Sequence, residues 1–269
     1  MRDRGGLLNR TAGFQRWRTL LFLHWPVDEV VLRALLPPRL TLDTFKGRAY
    51  VGVVPFLMRD VRPGWAPAVP GISNFAELNV RTYVHHEGHD PGVWFFSLDA
   101  AKLLAVLVAR WQWNLPYVPA TMRCDTDTDS DGVIDTQSRD SGAAEGTEVR
   151  YRSRRRWPST PAAELAARYR IGPATGPARP ATLEHFLVER YLLYAETRRG
   201  QLYSARVHHR PYPLHRAELA DLRETVVAAA GLPQPAGEPH VLYSPGVDVE
   251  LSTARPLTAD VSPGRRPSE

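Results

Sequence analysis

Phe75-Ala76-Glu77-Leu78-Asn79-Val80-Arg81-Thr82-Tyr83-Val84 is the stretch that decides the fold. Successive side chains of a strand point to opposite faces, so Phe75, Glu77, Asn79, Arg81 and Tyr83 share one face. Ala76, Leu78, Val80, Thr82 and Val84 share the other. The second face is apolar, and the first carries a carboxylate, an amide and a guanidinium. Periodicity leaves two readings open. The polar side faces water, as in a half-buried sheet, or it lines the interior of a barrel wide enough to hold a ligand.

Working outward, His85 to Pro91 reads as a hairpin loop and Val93 to Leu98 as the buried partner strand. Arg18 to Trp25, Tyr50 to Leu57, Val149 to Trp157, Tyr203 to His209 and Val241 to Val249 also read as strands. Helices are short. Asp28 caps one through Leu36, stopped by Pro37-Pro38. Asp99 caps another to about Trp111, with Leu103, Leu104, Val106 and Leu107 as its apolar stripe. Thr182 caps a third through Tyr194. A fourth, Asp221 to Ala230, ends at Gly231. Strands outnumber helices, which predicts an α+β, mainly antiparallel β barrel with a central cavity and short peripheral helices. Residues 14–254 read as one domain. Residues 1–13 read as a flexible arm, 125–146 as a polar mobile loop, and 255–269, rich in Pro, Arg and Ser, as a disordered tail.

Composition narrows the function classes. The 269 residues carry 34 basic and 29 acidic side chains, a net charge of +5, with 43% apolar residues, the profile of a globular domain. The charge is spread along the chain, which argues against a nucleic-acid surface. Cys124 is the single cysteine, so no intramolecular disulfide forms. No signal peptide is legible, and the most apolar long stretch, Leu20 to Leu36, is broken by His24, Asp28, Glu29 and Arg33. The expectation is a cytoplasmic protein without membrane or nucleic-acid partners.

Several phrases together resemble the YqjF-like family, a bacterial domain family of unknown function. They include Leu23-His24-Trp25-Pro26-Val27, Gly52-Val53-Val54-Pro55-Phe56, the Glu77 strand, Val93-Trp94-Phe95-Phe96-Ser97-Leu98-Asp99-Ala100, Leu115-Pro116-Tyr117 and Tyr243-Ser244-Pro245-Gly246-Val247-Asp248-Val249. A second resemblance is to acetoacetate decarboxylase. Leu32-Arg33 and Pro37-Pro38-Arg39-Leu40 match its opening helix phrase, which puts Arg18 at the family's substrate-carboxylate arginine. Phe75-Ala76-Glu77 puts Glu77 at the catalytic glutamate. Leu98-Asp99, Arg110 and Pro116 keep the family's spacing up to its Schiff-base lysine. Here that position is Tyr117, and the second lysine is Val118. A phenol forms no iminium with a ketone. The chain's lysines are Lys46, in a turn, and Lys102, and a solvated lysine is a poor amine catalyst. The resemblance therefore implies the scaffold without Schiff-base decarboxylation.

The residues can also be read without it. Alternation puts Arg18, Leu20, Phe22 and His24 on one face, with Arg18 and His24 about 20 Å apart. Arg18, with its fixed fork of donors, suits a carboxylate, and His24 suits a hydrogen-bonded structural role. His209 points inward and His208 outward, leaving His209 as a core group or a substrate contact. Arg110 at a helix end suits the dipole as well as a substrate. Tyr117 is either a phenol in the pocket or a packed aromatic. Asp127-Thr128-Asp129-Ser130-Asp131-Gly132 matches half a calcium loop but lacks the closing glutamate, and His85, His86 and His89 lack a frame for zinc. No metal and no cofactor is expected. The expectation is a pocket for a small organic acid or carbonyl compound, with Glu77 and Tyr117 catalytic and Arg18, Arg110 and His209 binding substrate. A non-catalytic binder or a structural module on the same scaffold stays open, as does a homo-oligomer.

Overall fold

The computed structural model describes residues 11–102, 115–127, 142–156, 161–197 and 199–257. Thirteen strands join in one sheet: β1 (Thr11–Val27), β2 (Thr41–Leu42), β3 (Ala49–Pro63), β4 (Phe75–His86), β5 (His89–Ala100), β6 (Tyr117–Thr126), β7 (Glu148–Arg155), β8 (Glu164–Gly176), β9 (Leu192–Glu196), β10 (Leu202–His209), β11 (Leu214–Glu224), β12 (His240–Ser252) and β13 (Arg255–Pro256). Three short helices are present among the described residues: α1 (Glu29–Ala34), α2 (Leu183–Val188) and α3 (Val226–Ala229). The pairing is antiparallel except where β5 runs parallel to β6 and to β9. The mainly antiparallel α+β expectation holds.

The sheet closes twice. Hydrogen-bonded neighbours run β1–β3–β4–β5–β9–β10–β12 and back to β1, an inner ring. A second ring leaves β5 through β6, β7, β8 and β11 and rejoins at β12. The two share the wall β12–β1–β3–β4–β5. Through its middle such a wall has no wet face. Leu21, Leu23, Val53, Leu78 and Val80 pack on one side with Tyr151, Leu165 and Tyr169 of the outer ring. Leu20, Phe22, Val54, Phe56 and Phe75 pack on the other, inside the inner ring.

Local chemistry sets the short elements. The Asp28 carboxylate accepts from the Val30 amide at 2.8 Å, capping α1. Thr182 likewise accepts from His185 at the start of α2. The helices are shorter than the sequence suggests, because strands claim their ends. The segment expected to be helical through Tyr194 contains β9, and β11 occupies the segment through Glu224 before α3 begins. Gly231, at φ +85°, ends α3 as expected. β8 and most of β11 were not anticipated. β1 begins at Thr11, inside the expected arm, and β13 lies inside the expected tail.

Asp99 is not a helix cap. It lies within β5, fully buried, and takes a two-pronged contact from Arg155 of β7: Nε to Oδ2 at 2.9 Å and an Nη donor to Oδ1 at 3.0 Å. The same guanidinium donates to Ser97 Oγ at 2.9 Å. A buried carboxylate needs such a partner, and this pair ties the shared wall to the outer ring. The rest of the helix expected after Asp99, from 103 to 111, lies outside the described residues, as does 128–141 of the expected loop.

Removing one member leaves a buried charge alone. Arg155→Ala is expected to lower unfolding free energy by about 3–5 kcal/mol in denaturant titration. Asp99→Leu combined with Arg155→Met recovers most of that loss. A loss below about 1 kcal/mol for Arg155→Ala would show that the pair is not what joins the rings.

Candidate functional site

The inner ring encloses a cavity of about 750 Å³. Its wall is largely apolar, with Val54, Phe56, Phe75 and Leu98 among the lining residues. The inward face of β4 presents Glu77, Asn79 and Arg81, with exposures of 3%, 5% and 8%, and Gln15, Arg62, Ser73, Tyr117 and Arg190 are further polar lining residues. The polar face read from the sequence lines a cavity and does not meet bulk water.

Tyr117 opens β6, in parallel register with Leu98. The Leu98 amide donates to the Pro116 carbonyl at 3.0 Å, which fixes the turn into the strand. The Tyr117 hydroxyl then donates to Glu77 Oε2 at 3.0 Å. From the outer ring, the Tyr151 hydroxyl donates to the Glu77 backbone carbonyl at 2.9 Å, so backbone and side chain of Glu77 are both held. Burial pushes the Glu77 carboxyl up to about 8; the Tyr117 hydrogen bond opposes this and the nearby Asp99 reinforces it. Burial, with Glu77 beside it, raises the Tyr117 phenol well above its ordinary value. At neutral pH both groups are mainly protonated, and with Tyr117 donating to one Glu77 oxygen the carboxyl proton belongs on the other.

Further along β4 the cavity has a basic end, with Arg81 and Arg190. One Arg81 Nη donates to the Leu187 carbonyl at 3.1 Å, and the guanidinium lies 5.8 Å from the Phe22 ring centre and 5.7 Å from that of Tyr83. Arg81 Nε has no partner, and among the described residues no carboxylate pairs with Arg81. Arg190, which also lines the cavity, is engaged by Asp43 at 2.7 Å and by the Phe186 carbonyl at 2.7 Å. Tyr83 donates to the Leu187 carbonyl at 2.8 Å, so its contact with His24 Nε2 at 2.7 Å is accepted from an Nε2–H tautomer. Burial, with Arg81 and His240 adding positive potential, holds His24 well below the usual histidine range. His24 is thus a neutral structural donor. Gly52 makes room for it: a Cβ there would stand 2.9 Å from His24 Cδ2.

The five residues expected to form one site are divided. Glu77 and Tyr117 meet in the cavity. Arg18 does not join them. Thr19, at φ 53°, forms a bulge that gives β1 one more residue than β3 between Arg18 and Leu23, reversing the side-chain alternation. Trp17 and Leu20 therefore face the cavity. Arg18 turns to an outer cleft, donating to the Val247 carbonyl at 2.9 Å and to Asp248 at 2.6 Å. His209 points inward as expected but lines that cleft too, with its Nδ1 at 2.8 Å from the Arg210 carbonyl. Arg110 lies outside the described residues. Lys46 and Lys102 are exposed, and neither lines the cavity. Arg81 and Asn79 were legible as facing with Glu77, but no residue pattern told that Arg81, rather than Arg18, supplies the cavity's positive charge.

Residues 14–248 match the DUF2071 family, described as an uncharacterized conserved protein. The chain belongs to this family. It is 38% identical over 235 residues to the uncharacterized protein YqjF of Bacillus subtilis (strain 168), covering 87% of this chain and 88% of that one. Among solved structures it is similar to the enduracididine biosynthesis enzyme MppR complexed with pyruvate, with a TM-score of 0.60 and 14% identity over 95% of this chain and 93% of that one. An acetoacetate decarboxylase-like enzyme from Sphingomonas wittichii RW1 gives 0.60 at 13% identity, covering 96% and 99%. The acetoacetate decarboxylase of Legionella pneumophila gives 0.56 at 14%, covering 97% and 94%. At such identity these likenesses speak for the fold, which is that of acetoacetate decarboxylase-like proteins. No helix among the described residues is long and apolar enough to cross a membrane.

The protonated Glu77 has a stability signature. An unfolded glutamate loses its proton near 4.5, whereas the folded one keeps it to about 8. Between those values the folded state binds more protons, so this group's contribution to stability falls as pH rises. Glu77→Gln removes the effect and keeps an acceptor for Tyr117. The melting temperature of Glu77→Gln minus that of wild type is expected to grow by about 5 °C or more from about pH 5 to about pH 8. A constant difference would mean that Glu77 is ionised in the fold.

Proposed function

We propose that the chain is an enzyme that acts on an organic acid or carbonyl compound by non-covalent proton transfer, with Glu77 as the proton donor or acceptor and Tyr117 as its partner. The observation that carries this reading is the buried Glu77–Tyr117 pair facing an apolar cavity, with the carboxyl raised to about 8. A group titrating near neutral pH both gives and takes protons there, which suits general acid–base catalysis. Excluding water strengthens the hydrogen bonds such a pair offers a carbonyl oxygen. Arg81 supplies a cation for the anionic group of a substrate, in place of Arg18, which Asp248 holds in the outer cleft. The structural neighbour MppR is complexed with pyruvate, and an oxo acid offers the carbonyl and the carboxylate that the Glu77–Tyr117 pair and Arg81 would take.

Enolisation, hydration, dehydration and hydrolysis all fall within what a carboxyl and a phenol perform without an amine. Schiff-base decarboxylation does not, because both lysines are exposed and away from the cavity. A non-catalytic binding or sensing protein needs the cavity alone. The raised carboxyl favours the enzyme over the binder, since a binder of anions gains nothing from a buried acid that ionises as pH rises.

The test is a screen of oxo acids by thermal shift, followed by NMR of deuterium exchange next to the carbonyl of each hit. Glu77→Gln is expected to reduce the rate by about 100-fold or more. If Glu77 is the donor, the wild-type rate falls as pH passes about 8, and the variant lacks that limb. Equal rates in wild type and Glu77→Gln remove Glu77 from the reaction. Borohydride with an oxo acid is expected to leave no covalent adduct; an adduct on Lys46 or Lys102 would overturn the non-covalent assignment.

A further inference from the structure

The cavity is too large and too long for a small keto acid alone. Its volume is about 750 Å³, within the range that buries a drug-sized ligand. Three of its polar groups stand in a line. Glu77, Asn79 and Arg81 alternate along the inward face of β4, so the Glu77 and Arg81 backbones are about 13 Å apart at about 3.3 Å per residue. The Arg81 guanidinium stays near its own level on the strand. It is tied to the Leu187 carbonyl and lies against Phe22 and Tyr83, and Tyr83 is two residues further from Glu77. With C–C bonds of about 1.5 Å, a four-carbon keto acid extends roughly 5 Å and does not bridge the two.

The two ends of the cavity differ. Past Arg81 it is closed by Tyr83, His24, Arg190 and α2. Past Phe75, at the other end of β4, it is lined by Met58 and Val61 and then by Trp65, Val69 and Ile72. Those last three side chains are 88%, 50% and 41% exposed, and they are three of the five large apolar residues so exposed among the described residues. A largely apolar surface, with Gln15, Arg62 and Ser73 as its polar members, thus runs from the Glu77–Tyr117 pair out to the solvent. Asn79, midway, holds a buried amide oxygen without a partner, and a buried polar atom in that condition is one that a ligand satisfies.

We propose that this cavity takes an elongated, amphipathic organic acid, bound with its carboxylate on Arg81 at the closed end, a polar oxygen or nitrogen function facing Asn79 and the Glu77–Tyr117 pair, and an apolar tail leading past Phe56 and Met58 to the Trp65 segment. This rests on the reading of the cavity as the substrate site and adds the substrate class and its orientation. The basic end excludes neutral lipids as the preferred ligand. The distance excludes acids of four carbons or fewer as ligands that engage both ends.

Calorimetry with straight-chain carboxylates tests this by equilibrium binding, with no turnover needed. Each buried methylene is worth about fourfold in affinity, so octanoate is expected to bind at least about 50-fold more tightly than butanoate. Arg81→Met is expected to weaken octanoate about 10-fold or more and to leave octanol within about twofold. Binding of butanoate and octanoate within about threefold of each other overturns the proposal on wild-type protein alone, whatever the folding of the variant. Unchanged octanoate binding by a folded Arg81→Met protein overturns the orientation. Glu77→Gln separates this inference from the proton-transfer reading. It is expected to keep the chain-length dependence; loss of length dependence with exchange activity intact sinks only the elongated ligand, and length dependence without any exchange sinks only the chemistry.

Discussion

The constraint on which the structure depends is a wall of strands whose middle has no face in water. β12, β1, β3, β4 and β5 belong to both rings. In an ordinary half-buried sheet a polar side chain on the second face is solvated at no cost. Here each one must be matched inside the protein or left to the cavity. On the outer-ring side the match is complete for Asp99, which Arg155 grips with two donors. On the inner side it is incomplete: Arg81 Nε and the Asn79 oxygen find nothing.

The same wall couples them. Tyr151 reaches from the outer ring to the Glu77 carbonyl, and the charge on Asp99 helps keep the Glu77 proton in place. The carboxyl that faces the cavity is therefore positioned and tuned from behind, through a strand one residue thick. Changes in the outer ring that leave the cavity lining untouched still bear on how readily Glu77 ionises.

The β4 alternation was readable because a regular strand with both faces buried keeps strict period two, and the polar triad at Glu77, Asn79 and Arg81 marked one face. β1 was readable as a strand but not in phase. One residue in a left-handed conformation, Thr19, reverses the alternation, and a β-branched residue carries no signal for that conformation. The consequence fell on Arg18, placed by pattern on the face of Leu20 and Phe22 and found on the opposite one. Opposite Arg18, Gly246 allows the chains to approach, since a Cβ there would stand 2.1 Å from the Trp17 carbonyl; that glycine was the one local trace of the irregularity. β11 was hidden for another reason. Leu214–Glu224 is rich in Ala, Leu, Arg and Glu, which favour helices in isolation, and its pairing with β8 overrides that preference.

Cation placement follows from these phases. Were β1 regular, Arg18 would bring a second guanidinium to the inner face, at the end nearer Glu77, and favour its ionised form. The bulge sends that charge to the outer cleft, where Asp248 meets it, while Arg81 stays on the inner face with no carboxylate paired to it among the described residues. Glu77 is thus separated from its own strand's arginine by about 13 Å and keeps its proton. The resemblance to acetoacetate decarboxylase puts a Schiff-base amine where Tyr117 stands. A protonated amine there would be a cation beside Glu77 and would draw the carboxyl down toward its ordinary range. A phenol does the reverse: being neutral, it adds a hydrogen bond without a charge. On that resemblance, tyrosine in the lysine's place bears on two groups at once: it offers no covalent nucleophile, and it leaves the neighbouring carboxyl without a cation to lower it, and on the proposed reading it is the second that gives this cavity its chemistry.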